Sequence, residues 1–134
     1  MILSFAPYDL AAQDDPTQCF PVLTAEMRAR FKAAFLPNVT VEERRDPTIS
    51  PFYADLKAMT LPPALFICGT NDLLLEDSVL MATKWQLAGG EARLELFPGA
   101  AHGFVVMDER VLTCVGEARE VMQMFLREKL GMTK

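Results

Sequence analysis

The sequence predicts an α/β fold, with about three parallel strands, flanking helices and a short helical insertion. Three observations carry that prediction. Residues 64–97 read as strand, helix, strand; residues 2–6 form a further short apolar run; and residues 111–130 repeat apolar positions at helical spacing.

Ile2-Leu3-Ser4-Phe5-Ala6 is the first strand, stopped by Pro7. It begins beside Met1, so one of its edges is expected to lie unpaired, apolar and open to another chain. Residues 7–19 read as loop. A helix is expected from about Thr24 to Leu36, with Met27, Phe31, Ala34 and Phe35 on one side and Pro37 ending it. Thr40-Val41-Glu42-Glu43 has the form of a capping box and predicts a second short helix. Asp46-Pro47 and Ser50-Pro51 mark extended connections. Residues 20–50 are thus a helical excursion between two strands, too long for a simple crossover and suited to a lid or cap.

Ala64-Leu65-Phe66-Ile67-Cys68 is continuously apolar and closed by Gly69, as expected of a strand buried on both faces. Glu76 to Ala88 follows as a helix, with Val79, Leu80, Ala82, Trp85, Leu87 and Ala88 at roughly helical spacing and Gly89-Gly90 as the stop. In Ala92-Arg93-Leu94-Glu95-Leu96-Phe97 the alternation has period two, ending at a Pro98-Gly99 turn. The last helix places Val111, Val115, Ala118, Met122 and Phe125 at spacings of four, three, four and three, with Gly131 as its stop. Met27, Met122 and Met124 read as core.

Composition bounds the function. With 51% hydrophobic and 23% charged residues, the 134-residue chain is globular and of single-domain length. A net charge of −5 without a basic cluster argues against nucleic acid as partner. No run is long enough to span a membrane, and the N-terminus lacks the charged and apolar regions of a signal peptide, so a cytoplasmic location is expected. Cys19, Cys68 and Cys114 are odd in number and widely spaced, and read as reduced, buried thiols. One histidine and no paired cysteines make a metal site an unsuitable reading, and no phosphate-binding glycine loop is present, so no cofactor is expected.

The strand–helix–strand unit is a right-handed crossover between parallel strands, with ligands expected beyond the strands' carboxyl ends. Asp72 and His102 both fall in loops at that end. A carboxylate accepting from one imidazole nitrogen fixes the tautomer, and the other nitrogen can then take a proton from a nucleophile. Taken alone, Asp72 also reads as a solvent-facing helix cap and His102 as a surface-turn residue.

The order of motifs weighs between these readings. Tyr8-Asp9, a helical excursion, Ser50-Pro51, Leu61 to Leu65, Gly69-Thr70-Asn71-Asp72-Leu73-Leu74 and Pro98-Gly99-Ala100-Ala101-His102-Gly103-Phe104 follow one another over nearly the whole chain. This series resembles the C-terminal half of an α/β-hydrolase of the hormone-sensitive-lipase-like, or fold-3, carboxylesterase group. The resemblance implies a partial α/β-hydrolase fold over residues 1–134, with residues 20–50 as a cap-like insertion. It implies carboxylic-ester hydrolysis through Ser-His-Asp chemistry, with Asp72 as the acid and His102 as the base. Leu73 departs from the proline common in the family at that position.

The larger departure is the nucleophile. The family's G-x-S-x-G elbow and H-G-G-G-type oxyanion loop are absent, and Ser4, Ser50 and Ser78 have no flanking glycines. Cys68 lies in or at the tip of a strand without an elbow turn and reads as core. Ser78 reads as a local hydrogen-bonding residue in the first turn of a helix. Phe104 is expected to pack under the histidine loop. Glu76 and Asp77 either orient the Asp72 loop or form a solvated first turn. The expectation is a chain inactive alone, acting on an acyl ester when completed by a missing half. The alternative is a non-catalytic module that self-associates or pairs with another chain through the edge of its first strand.

Overall fold

The middle strand of the sheet is the apolar run that the sequence singles out. The computed structural model describes residues 1–12 and 21–132. Its strands are β1 (Ile2–Ser4), β2 (Ala64–Asn71) and β3 (Ala92–Ala101), all parallel, in the order β1-β2-β3. Its helices are α1 (Ala25–Phe35), α2 (Leu75–Leu87) and α3 (Cys114–Lys129), with short 3-10 turns at Glu43–Arg45, Pro51–Tyr53, Leu56–Ala58 and Phe104–Val106.

β2 is apolar on both sides because each side meets a helix. Leu65 and Ile67 pack with Phe97, Phe104, Val115, Ala118 and Phe125, which brings α3 onto one face. Ala64 and Phe66 pack with Tyr8, Leu56, Met81, Ala82 and Trp85, which brings α2 onto the other. The result is the three-layered α/β architecture of a parallel sheet.

Several boundaries and faces differ from expectation. β1 stops at Ser4 because Phe5 adopts φ of +39°, a conformation that side chains with a Cβ rarely take. The Phe5 amide still donates to Ile67 O at 3.1 Å. Asp46-Pro47 is a turn and not an extended connection, since the Ile49 and Ser50 amides both donate back to Asp46 O. Val111 lies before α3 and is 81% exposed. It belongs to a turn in which the Val111 and Leu112 amides donate to Asp108 O. Cys114 is half-buried, whereas Cys68 is fully buried; both are free thiols. Cys19 lies outside the described residues, as does most of the loop expected over 7–19.

Helix α1 is inverted relative to its apolar stripe. Met27, Phe31 and Phe35 are 40%, 60% and 72% exposed, whereas Ala25, Arg28 and Lys32 are buried. Polar partners decide this orientation. One terminal nitrogen of Arg28 donates to Asp77 Oδ2 at 3.0 Å and to Asp9 O at 3.1 Å, and Lys32 Nζ donates to Ala12 O at 2.8 Å. Met124 is also exposed, and only Met122 of the three expected core methionines packs against the core.

The capping box at Thr40 is present. Thr40 donates its amide and hydroxyl to Glu43 Oε2 at 2.8 and 2.7 Å, and the Glu43 amide donates to Thr40 Oγ1 at 3.3 Å. It starts only a single 3-10 turn.

Candidate active site

Asp72 directly follows β2 and His102 directly follows β3, so the parallel pairing of these strands delivers both side chains to one end of the sheet. The pairing is irregular just there. Between the Gly69–Phe97 and Asn71–Ala101 pairs, β2 supplies Thr70 alone while β3 supplies Pro98, Gly99 and Ala100. Pro98-Gly99, expected to end the strand, is therefore a bulge within it. Gly99 takes φ of +71° and donates its amide to Thr70 Oγ1 at 2.8 Å. Gly69 leaves room for the other side of the bulge, because a Cβ there would lie 2.0 Å from Ala100 O. The Gly-Thr and Pro-Gly dipeptides thus meet each other across the sheet, and their fit sets how far His102 reaches toward Asp72.

The reach is short. His102 Nδ1 lies 3.1 Å from Asp72 Oδ2 and 3.2 Å from Oδ1. Asp72 is 1% exposed, and the His102 side chain 25%. The Leu74 amide donates to Asp72 Oδ1 at 2.9 Å, and the Cys68 thiol lies 3.6 Å from Oδ2. A carboxylate so placed keeps the imidazole proton on Nδ1 and leaves Nε2 as the basic nitrogen. The Phe5 ring meets His102 edge to face at 5.1 Å, so the strained backbone at Phe5 places an apolar wall beside the imidazole. Phe104 is fully buried under the loop and packs on Phe97 at 5.1 Å. Arg119 of α3 holds the loop from the far side, donating to Val105 O and Met107 O.

None of the described candidates replaces a nucleophile. Burial pushes the Cys68 thiol up to about 12, well out of the thiolate range at neutral pH. Ser78 is buried and donates to Leu74 O at 3.0 Å, and Ser50 is buried and accepts from the Leu10 amide at 2.9 Å. Both act locally.

A cleft of about 320 Å³ opens beside the imidazole, walled mainly by Phe5, Leu10, Leu23, Phe31, Phe35 and Leu74. Part of its wall belongs to α1, whose position depends on Asp77. Glu76 is solvated, but Asp77 is buried. Asp77 Oδ1 accepts from the Tyr8 and Asp9 amides at 3.0 and 2.8 Å, and Oδ2 from Arg28. Burial raises its carboxyl above the ordinary aspartate value, against the pull of Arg28 and the two amides. The pairing with Arg28 escaped sequence reasoning because Arg28 lies 49 residues away, next to Met27 in a helix whose apolar stripe was the only visible signal.

Comparison with known proteins agrees with this architecture. A family model described as alpha/beta hydrolase fold matches residues 1–106, and the chain belongs to that family. Among solved structures it is similar to carboxyl esterase 2 of the fungus Tuber melanosporum, with a TM-score of 0.81 and 23% identity over 96% of this chain and 44% of that one. It is similar also to a hormone-sensitive lipase from a metagenome library, with a TM-score of 0.82 and 20% identity over 96% of this chain and 43% of that one. A hyperthermophilic esterase of the archaeon Pyrobaculum calidifontis is 25% identical, over 92% of this chain and 42% of that one, with a TM-score of 0.71. The chain therefore spans less than half the length of these relatives. No curated protein sequence matches it. Among the described residues no helix is long and apolar enough to cross a membrane, and no cluster of three potential metal ligands occurs.

Proposed function

We propose that these residues are the acid–base part of a serine carboxylesterase, with Asp72 as the orienting acid and His102 as the general base. The observation that carries this reading is the contact of His102 Nδ1 with the buried Asp72 carboxylate, at the carboxyl ends of adjacent parallel strands in an α/β-hydrolase. His102 Nε2 would take the proton of a serine hydroxyl as its oxygen attacks the ester carbonyl. The same nitrogen would return that proton to the leaving alcohol, and a second cycle with water would release the acid. Asp72 stabilises the imidazolium formed in each cycle.

The serine and the main oxyanion donors must come from polypeptide outside these 134 residues, which hold no G-x-S-x-G. The edge of β1 away from β2 has no partner strand among the described residues and is the natural seat for a strand carrying that serine. Residues 20–50 act as a cap in this reading, supported by the α1 wall of the cleft, and the apolar lining suits an acyl ester. A cytoplasmic location belongs to the same reading, supported by the free thiols of Cys68 and Cys114.

A second reading, a non-catalytic module that pairs with another chain, is favoured by the open β1 edge together with the exposed Met27, Phe31 and Phe35. Hydrolysis of p-nitrophenyl acetate and butyrate separates the readings. The purified chain is expected to show no turnover above a His102→Ala control. Adding a polypeptide that carries the family's G-x-S-x-G half is expected to produce turnover that His102→Ala abolishes. Reconstituted turnover that persists in His102→Ala would overturn the assignment of the base.

A further inference from the structure

The Asp72 carboxylate is held by more than the imidazole it faces. His102 Nδ1 lies almost equally far from its two oxygens, at 3.1 and 3.2 Å, so the imidazole does not by itself select one. Two other donors are distributed one to each oxygen. The Leu74 amide serves Oδ1 at 2.9 Å, and the Cys68 thiol serves Oδ2 at 3.6 Å, within the range of a hydrogen bond from sulfur. An ionised carboxylate only accepts, so the thiol proton is the one available to this contact.

The surroundings keep the thiol a donor. Cys68 and Asp72 are 0% and 1% exposed, so the carboxylate's charge is balanced by donors and not by water. Burial keeps the thiol protonated, as a donor must be. Ser78, 1% exposed in the first turn of α2, donates to Leu74 O at 3.0 Å. The same Leu74 supplies the amide on Oδ1. Cys68 and Leu74 thus each hold one oxygen of Asp72, and Ser78 bonds to the carbonyl of the same Leu74. With one donor on each oxygen the carboxylate plane is fixed. With the Leu74 bond alone it can turn about a side-chain torsion that is intrinsically soft.

We propose that Cys68 is a positioning residue for the acid: its thiol donates to Asp72 Oδ2 and holds the carboxylate in the plane from which it orients His102. The inference rests on the acid–base reading of Asp72 and His102, and adds a third side chain to it. Cys68 is no nucleophile in this role, and its sulfur never meets substrate.

The chain has a single histidine, so every imidazole signal in its NMR spectrum belongs to His102. The test is the exchange rate with water of the proton on His102 Nδ1, measured on the 134-residue chain and on Cys68→Val, Cys68→Ala, Cys68→Ser and Asp72→Asn. Loss of one hydrogen bond to a charged group is expected to speed that exchange by about tenfold in both Cys68→Val and Cys68→Ala. Cys68→Ser, which keeps a donor, is expected to recover most of the protection. Backbone amide spectra identify which variants are folded, and Cys68→Ala decides if the bulkier valine is not accommodated. Exchange at the wild-type rate in the folded apolar variants, with the proton lost in Asp72→Asn, would overturn the role of Cys68 and leave the acid–base pair intact. A proton unaffected by Asp72→Asn would overturn the pair itself, and the proposal with it.

Discussion

Thr70 Oγ1 accepts the Gly99 amide at 2.8 Å, tying the end of β2 to the bulge of β3 one strand away. Thr70 is two residues before Asp72 and Gly99 three before His102, so this one bond joins the two strand ends that bring acid and base together. Its neighbour Gly69 lets Ala100 O approach where any side chain would block it.

Thr70→Val keeps the shape of the side chain and removes the acceptor. The expected cost is about 1 kcal/mol of stability by urea denaturation, with altered His102 imidazole shifts. Gly69→Ala forces the bulge backbone to move and is expected to cost about 3 kcal/mol, the upper range for overpacking. A Gly69→Ala protein as stable as wild type would show that the close approach is not a constraint.

Arg28 and Asp77 form a buried pair with side-chain exposures of 9% and 6%. Removing one partner leaves the other charge buried, so Arg28→Met is expected to cost about 3 kcal/mol. Arg28→Met combined with Asp77→Leu is expected to cost clearly less than the sum of the single changes, as read from a double-mutant cycle of unfolding free energies. Additivity would mean that the pair does not hold α1 in place.

Tyr8 is 5% exposed, and its hydroxyl has no hydrogen-bond partner among the described residues. Its ring packs edge to face on Phe66 at 6.1 Å, so the apolar part of the side chain is well used. Tyr8→Phe removes an unsatisfied polar group and keeps the ring. A gain of about 1 kcal/mol is expected, seen as a higher urea midpoint at unchanged slope.

Glu43 titrates below its ordinary value of 4.5 because Thr40 donates its hydroxyl and its amide to the carboxylate. A lowered folded value means that the contribution of the capping box is complete above 4.5 and is lost as pH falls through the folded value. The Thr40 amide shift is expected to titrate with a midpoint below 4.5, and Glu43→Gln to abolish that titration. A midpoint at or above 4.5 would contradict the reciprocal bonds.

Much of the frame was legible in residue order. The continuous apolar run of β2, the alternation of β3 and the helical spacing within α3 each report burial of a local element, and local periodicity records such burial directly. The same reading put Asp72 and His102 at one end of the sheet, because parallel strands joined by a helix share their carboxyl ends. The Thr40 capping box was equally legible, since its partners are three residues apart.

What the tertiary structure alone decided are the contacts between distant residues. Periodicity in α1 grouped Phe31 and Phe35 on one side, yet the buried side carries Arg28, which meets Asp77, 49 residues on, because a buried carboxylate left without its cationic partner is costly. Pro98-Gly99 read as a turn that ends a strand, and became a bulge inside it because Gly69 and Thr70 received it from the neighbouring strand. In β2 and α3 the sequence pattern marks the buried positions, since there burial follows composition along one element. Which polar groups meet depends on the packing of several elements at once, and that is settled only when the chain has folded.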